Sequence, residues 1–97
     1  MKVILHPGAE EDLLDAASFY EREGSPTLAA RFVAEFKRVA RLLSEYPEIG
    51  SPRSNGRREL SMSIFPYTLI YRSNDKEVKI LVIKHDRKGP RFGNRRS

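Results

Sequence analysis

Cysteine and tryptophan are both absent from the 97 residues of this sequence. Without cysteine the chain can form neither a disulfide framework nor a thiolate zinc site, so a hydrophobic core must supply its stability. No stretch approaches the roughly 20 apolar residues of a membrane span, and the apolar run at the N-terminus is too short for a signal peptide. Residues 1–97, of which 39% are hydrophobic and 32% charged, are therefore predicted to form one small cytoplasmic domain without a membrane partner.

Motifs for catalysis and for cofactor binding are missing as well. The two histidines, His6 and His85, stand outside any HxxxH or HExxH spacing, and the glycines form neither a Walker loop nor a dinucleotide fingerprint. No serine lies in a nucleophile elbow. The sequence therefore predicts no metal ion and no other cofactor, and it offers no confident catalytic residue.

Positive charge is concentrated in the second half of the chain, although the net charge of the whole is only +5. Residues 1–50 carry six Lys/Arg and nine Asp/Glu, a net charge of −3, whereas residues 51–97 carry twelve and four, a net charge of +8. This asymmetry predicts a surface that meets a polyanion or an acidic partner. A charge distribution that only solubilises the protein is the alternative.

Periodicity in the first half predicts a short strand followed by two helices. The strand is expected at residues 3–5, and the first helix from about residue 9 until Gly24 ends it. Ser25 is expected to cap a second helix that ends near Tyr46. The apolar stripe of this second helix is the strongest periodic signal in the chain and consists of Leu28, Phe32, Phe36, Val39 and Leu43.

In the second half the period changes to two, which is typical of strands. Leu60, Met62 and Ile64 alternate with polar residues, and further strands are expected at residues 67–72 and 78–83. The last strand is apolar on both faces, with Leu81 and Ile83 expected on one of them, which predicts a central place in the sheet. The fold class is thus α+β: an N-terminal strand, a helical hairpin and a three-stranded antiparallel meander, giving a mainly antiparallel sheet covered on one face by two helices. Residues 89–97 are expected to form a basic, mobile tail.

Basic and aromatic residues around the sheet form the candidate contact surface for a target or for RNA. They are Arg57, Arg58, Tyr71, Arg72, His85, Arg87, Lys88, Arg91 and Phe92. Guanidinium groups bind phosphates, and aromatic rings stack on unpaired bases. Structural explanations remain open, because Tyr71 can pack within the sheet, Arg72 can pair with an acid of the hairpin, and His85 can bond to backbone.

The run FPYTLIYRSNDKEVKILVIKHDRKGPRF, residues 65–92, resembles the C-terminal half of the RelE/ParE superfamily of type II toxin–antitoxin toxins. The most specific element is PYxLIYR followed by HxR at the end of the next strand. Upstream, AEEDLLDAASFYE resembles the first helix of the superfamily, and AARFVAEFKRVARLLSEYPEIGSPR resembles its second helix and exit loop. The resemblance implies a small cytoplasmic toxin that forms a hetero-oligomer with a cognate antitoxin.

The superfamily contains two kinds of toxin, and the resemblance leaves both open. RelE-like members cut mRNA in the ribosome, whereas ParE-like members poison DNA gyrase. The lysines and the strand arginine of the RelE-like pattern fall on Glu59, Ser61 and Thr68, its late tyrosine falls on Phe92 or Gly93, and only Arg87 matches.

These departures favour the ParE-like branch, with DNA gyrase as the target. The alternatives are a ribosome-dependent, metal-free mRNA endoribonuclease that uses His85, Arg87 and Arg91, and a degenerate toxin that acts only as an antitoxin-binding module. The antitoxin is expected to bind either the helical hairpin, on the second helix at Phe32, Phe36, Val39 and Leu43, or a groove of the sheet.

Overall fold

A computed structural model describes all 97 residues of the chain. Its elements in chain order are β1 (Lys2–Leu5), α1 (Pro7–Glu23), α2 (Pro26–Glu45), β2 (Ser51–Pro52), a 3₁₀ turn (Ser54–Gly56), β3 (Arg58–Ser61), β4 (Tyr67–Ser73) and β5 (Glu77–His85). The five strands form one sheet in the order β1-β5-β4-β3-β2, in which only the β1–β5 pair is parallel. The predicted α+β class is confirmed, and the last strand lies inside the sheet, between β1 and β4, as far as Ile80.

Both helices begin at a proline that follows a capping side chain. The Ser25 hydroxyl accepts a hydrogen bond from the Leu28 N–H at 3.1 Å, as the sequence predicts for α2. In α1 the His6 Nδ1 atom accepts from the Gly8 N–H at 2.9 Å, and Pro7 opens the helix two residues earlier than expected because its fixed φ suits the first helical position. Neither helix combines the length and the apolarity that a bilayer crossing requires.

The helical hairpin buries the main core against one face of the sheet. Phe32, Phe36, Val39 and Leu43 of α2 are at most 6% exposed and belong to a cluster of 14 buried residues that the helices share with the strands. The prediction that these four residues bind the antitoxin is therefore wrong, because packing against the sheet leaves them no surface to offer a partner.

The strand predicted around Leu60, Met62 and Ile64 ends sooner than its pattern suggests. Strand β3 stops at Ser61, Met62 is 5% exposed, and Ile64 is 67% exposed. The Met62 N–H donates to the Tyr67 C=O at 2.9 Å, so the chain reverses through residues 63–66, and Ile64 lies in this turn. The period-two pattern thus continues in the sequence beyond the point where the chain reverses.

A β-bulge changes the expected alternation in β5. Ile70 pairs with Val82 and Tyr71 with Ile80, so Leu81 is an extra residue without an opposite partner. Leu81 and Val82 consequently both lie on the face of the sheet away from the helices, while Ile80 and Ile83 lie on the helix side. The prediction that Leu81 shares a face with Ile83 is wrong for this reason.

The second face of the sheet is covered by residues 89–97, which we call the C-terminal segment. In place of the predicted loose tail, this segment packs Phe92 against the buried side chains of Ile70, Leu81 and Val82. Gly93 has a φ of 70° and lies so close to the sheet that a Cβ atom there would come within 2.5 Å of a Val82 methyl group. The sheet is therefore sandwiched between the helical hairpin and the C-terminal segment.

Candidate functional site

A groove of about 410 Å³ runs between α1 and the edge of β5. We call it the α1–β5 groove. It is lined by Asp12, Asp15, Ala16, Phe19, Arg22, Tyr67, Ile83, His85, Lys88 and Phe92. Three of the predicted contact residues, His85, Lys88 and Phe92, therefore meet residues of α1 that the sequence did not connect with them.

The groove exists because β5 extends past its parallel neighbour. Strand β1 ends at Leu5, opposite Ile80, while β5 continues to His85. The Asp86 N–H donates to the Pro66 C=O at 2.9 Å, so the neighbouring Tyr67–His85 pair is a non-hydrogen-bonded pair. In such a ladder alternate residues direct their N–H and C=O groups outward, and the backbone of Ile83 and His85 therefore faces the groove.

Asp12 and Arg96 form hydrogen bonds with some of the outward-facing backbone groups of β5. The Ile83 N–H donates to Asp12 Oδ2 at 3.0 Å, and Arg96 Nη1 donates both to the same carboxylate oxygen at 2.6 Å and to the Leu81 C=O at 3.0 Å. The sequence analysis did not connect these two residues, and it expected Arg96 to lie in a mobile tail. Both residues are mostly buried, and the ion pair occupies the place that a longer β1 would take.

His85 is held by the backbone at the end of β5. Its Nδ1 atom accepts from the Arg87 N–H at 3.0 Å, so the neutral ring carries its proton on Nε2. The ring stands edge-on to Tyr67 at 5.0 Å between centroids. Burial raises the pKa of the Tyr67 phenol above its ordinary value, so this hydroxyl stays protonated at neutral pH. The structural explanation for His85, a strand-end histidine bonded to backbone, is confirmed.

Three predicted contact arginines bind backbone oxygens of the protein itself. Arg58 donates to the Gly50 C=O at 2.8 Å, Arg57 donates to the Arg96 C=O, and Arg72 donates to the Ser97 oxygen at 2.9 Å. The suggested pairing of Arg72 with an acid of the hairpin is therefore absent. These side chains hold a loop and the C-terminal segment in place, which reduces their availability to a target.

Tyr71 does not belong to a contact surface. Its side chain is fully buried, and its hydroxyl accepts a hydrogen bond from the Gly50 N–H at 2.9 Å. Burial raises the pKa of this phenol as well. The prediction that Tyr71 contacts a target is wrong, and the alternative, packing within the sheet with a bonded hydroxyl, is confirmed.

The exposed contact residues whose side chains form no hydrogen bond within the protein lie on the turn after β5, residues 86–91, which we call the 86–91 turn. Arg87, Lys88 and Arg91 are all exposed there, and the Lys88 ammonium stands 5.0 Å from the centroid of the Phe92 ring. The residues proposed for an endoribonuclease are not gathered in one cavity, because His85 lines the α1–β5 groove and Arg91 lines a separate cleft. No three His, Asp or Glu side chains come together in a group that could hold a metal ion.

Glu35 is a buried carboxylate that the sequence interpretation overlooked. It accepts two hydrogen bonds from Arg38, at 2.8 and 2.9 Å, and one from the Ser63 N–H at 3.0 Å. The hydrogen bonds from Arg38 are the main reason that its pKa falls to about 2. Its place between Phe32 and Phe36 on the apolar face of α2 was the signal that could have revealed it. Glu35 anchors the β3–β4 turn rather than the α1–β5 groove.

Comparison with known proteins assigns this chain to a family. Residues 3–90 match the family model described as "ParE toxin of type II toxin-antitoxin system, parDE". The chain belongs to this family. The match stops at residue 90, so most of the C-terminal segment of this ParE-family chain lies outside the region that the family model describes.

Individual relatives agree with the family assignment. Toxin ParE2 of Mycobacterium tuberculosis, from two strains, is 24% identical over 86 residues, which cover 89% of this chain and 82% of the relative. A solved structure titled "Chromosomal ParDE TA system from P. aeruginosa" superposes with a TM-score of 0.77 at 24% identity and covers 88% of this chain and 95% of the other. At that identity the superposition shows a shared fold.

Proposed function

We propose that this chain is a growth-inhibiting toxin that binds DNA gyrase and is neutralised by a cognate antitoxin encoded beside it. The observation that carries the proposal is the ParE family match over residues 3–90, which includes both helices and the whole sheet. The choice of gyrase as the target rests on the resemblance of residues 65–92 to the RelE/ParE superfamily, because ParE-like members of that superfamily act on gyrase.

The 86–91 turn is the proposed gyrase contact. Arg87 and Lys88 are exposed there, directly after β5 ends at His85. Exposed cations of this kind steer a target and select it by charge.

Acidic groups near the sheet support the gyrase proposal over cleavage of mRNA. Asp86 accepts a hydrogen bond from the Thr68 hydroxyl at 2.7 Å, and Glu59 lies on β3 next to the strand that carries Thr68. Thr68 and Glu59 occupy positions at which RelE-like toxins have cations, according to the sequence resemblance. The negative charges of Glu59 and of Asp86, which is bonded to Thr68, would repel the phosphates of an RNA substrate.

The α1–β5 groove is the proposed antitoxin site, in place of the buried face of α2. The Ile83 N–H is bonded to Asp12 and the His85 C=O to the Lys88 N–H, but the outward-facing Ile83 C=O and His85 N–H can pair with an extended segment, which is how strand addition supplies affinity. Phe19 is 46% exposed at the side of the groove and offers apolar area to that segment. Arg22 and Lys88 line the same groove and suit an antitoxin segment that carries acids.

A supercoiling assay with purified gyrase and the purified chain tests the target. We expect the wild type to inhibit supercoiling, the double variant Arg87→Glu/Lys88→Glu to lose at least about tenfold in potency, and Lys37→Glu/Arg41→Glu on exposed positions of α2 to retain it. The second variant carries the same change in net charge. Inhibition that survives the first double variant would remove the 86–91 turn from the contact surface.

Mapping mRNA 5′ ends after induction in growing bacteria separates the two activities. Under the gyrase proposal, messages stay intact while a DNA-damage response accompanies the growth arrest. New 5′ ends at codon positions within translated messages would instead establish the endoribonuclease, and His85→Ala would then show whether this residue takes part in proton transfer.

Co-purification with the cognate antitoxin tests the groove. We expect Phe19→Arg to weaken the complex by at least about tenfold, because an arginine would disturb the apolar side of the groove. Leu14→Arg is the matched control, since Leu14 is 66% exposed on α1 and does not line the groove. Equal affinities of the two variants would place the antitoxin elsewhere.

A further inference from the structure

A second, larger cleft lies beside the C-terminal segment and has an unusual lining. It measures about 920 Å³ and is lined by His6, Arg91, Gly93, Asn94, Arg95 and Arg96. None of these residues is apolar and none is acidic. Five of the six lie beyond residue 90, outside the region that the ParE family model matches.

The charge of this cleft is not cancelled by the rest of the molecule. Arg96 is paired with Asp12, but Arg91 and Arg95 are exposed, and their side chains have no hydrogen bond or ion pair within the protein. His6 adds a neutral donor, because its Nδ1 atom accepts from the Gly8 N–H and its proton therefore lies on Nε2. The cleft combines two free guanidinium groups with a neutral hydrogen-bond donor, and this combination suits a phosphate ester.

The backbone at the N-terminal end of α1 contributes little to the binding of an anion in the cleft. The first N–H groups of the helix are already occupied, since Gly8 donates to the His6 ring and both Ala9 and Glu10 donate to the His6 C=O. An anion in the cleft would therefore be held by the side chains of the C-terminal segment and of His6.

If the phosphate ester belongs to a nucleic acid, the lining of the cleft favours a double strand over a single strand. No aromatic side chain lines it, so it offers no platform on which unpaired bases could stack. Phe92, the nearest aromatic residue along the segment, packs against Ile70, Leu81 and Val82. Recognition restricted to phosphates, without base stacking, is typical of sequence-independent binding to a duplex.

We propose that the cleft formed by His6, Arg91 and Arg95 binds the phosphate backbone of duplex DNA without sequence preference. Although Arg91 belongs to the 86–91 turn, the proposed DNA contact does not use Arg87 or Lys88 and does not depend on gyrase binding. A chain that touches both DNA and an enzyme bound to the same DNA would hold the assembly more tightly than either contact alone.

Fluorescence anisotropy with a labelled duplex of arbitrary sequence tests the proposal on the purified full chain. We compare the wild type, Arg91→Glu/Arg95→Glu in the cleft, and Lys37→Glu/Arg41→Glu on exposed positions of α2, and we check folding by thermal melting. The cleft variant should bind about tenfold or more weakly at low salt, while the α2 variant stays close to the wild type. The slope of log K against log salt should fall by about 1.8 in the cleft variant, since each lost phosphate contact removes about 0.9.

Three results would overturn the proposal. Wild-type chain that does not bind the duplex at 50 mM salt would do so directly. Equal weakening by the two double variants would show that net charge alone drives the binding. Tight binding of a fluorescent nucleoside triphosphate, with no binding of the duplex, would assign the cleft to free nucleotides instead of the DNA backbone. Because gyrase is absent from the assay, none of these results bears on gyrase inhibition.

Discussion

The core that the sheet shares with the helical hairpin contains 14 buried residues, whereas the core under the C-terminal segment contains three, with Phe92 packed against them. The first is rich in aromatic contacts: Phe32 lies 5.1 to 5.3 Å from the ring centroids of Tyr20, Phe65 and Tyr67. At the second core, hydrogen bonds hold the C-terminal segment on the sheet: arginines bind its backbone oxygens, and Arg96 binds Asp12.

This difference indicates that the two faces of the sheet contribute differently to stability and to surface charge. Apolar burial, at about 25 cal/mol per Å², accounts for most of the stability, and the helix face supplies most of it. The C-terminal segment buries little and instead concentrates charge at the surface. The helix face therefore supplies most of the stability of the fold, and the opposite face carries exposed positive charge.

Replacing one phenylalanine on each face is the strongest test of the comparison. Phe32→Ala should lower the free energy of unfolding by about 3–5 kcal/mol, because it leaves a cavity among aromatic rings. Phe92→Ala should cost about 1–2 kcal/mol, since Phe92 is only partly buried. Chemical denaturation measures both. Equal losses would mean that the C-terminal segment stabilises the fold as much as the hairpin does.

Removing the Arg96 side chain tests how the C-terminal segment is attached. Arg96→Ala loses the hydrogen bonds to Asp12 and to the Leu81 C=O and leaves a mostly buried carboxylate without its cation. We expect a loss of about 2 kcal/mol in the free energy of unfolding. Arg95→Ala, at an exposed neighbouring position, should change it by less than about 0.5 kcal/mol. Identical melting curves for the two variants would contradict a specific attachment at Arg96.

Glycine substitutions show how closely the segment approaches the sheet. Gly93→Ala places a methyl group against Val82 at a φ of 70° and should cost about 1–2 kcal/mol. Gly89→Ala meets no atom within 4 Å and should be neutral within about 0.5 kcal/mol. Thermal unfolding compares them directly. A neutral Gly93→Ala would indicate that the segment can lift from the sheet without loss.

The sequence predicted the helix face well and the other face poorly. The apolar stripe on α2, with its period of 3.6 residues, and the cap at Ser25 are both local signals, and both were confirmed. The bulge at Leu81, the end of β3 before Ile64 and the docking of Arg96 depend on contacts between distant residues, which no local period encodes. The same limit applies to the site. Composition reveals the basic residues, but it does not reveal that Arg57, Arg58 and Arg72 bind backbone oxygens of the protein itself.

The smallest expected effect concerns Glu35, the buried carboxylate on the helix face. Its pKa is about 2 in the folded state against an ordinary value of 4.5, so the unfolded chain takes up this proton first as the pH falls. The contribution of Glu35 to the free energy of unfolding is therefore complete above about pH 4.5 and is lost as the pH falls toward 2.

Replacing Glu35 by glutamine should remove that part of the pH dependence. Glu35→Gln is expected to lower the free energy of unfolding at pH 7 by about 1 kcal/mol, a modest value because Arg38, its partner, is 54% exposed to solvent. Urea titrations at pH 7, 4.5 and 3 should show the wild type converging on the variant as the pH falls. A wild type that exceeds Glu35→Gln in stability by the same margin at pH 3 as at pH 7 would contradict the assignment of this acid sensitivity to Glu35.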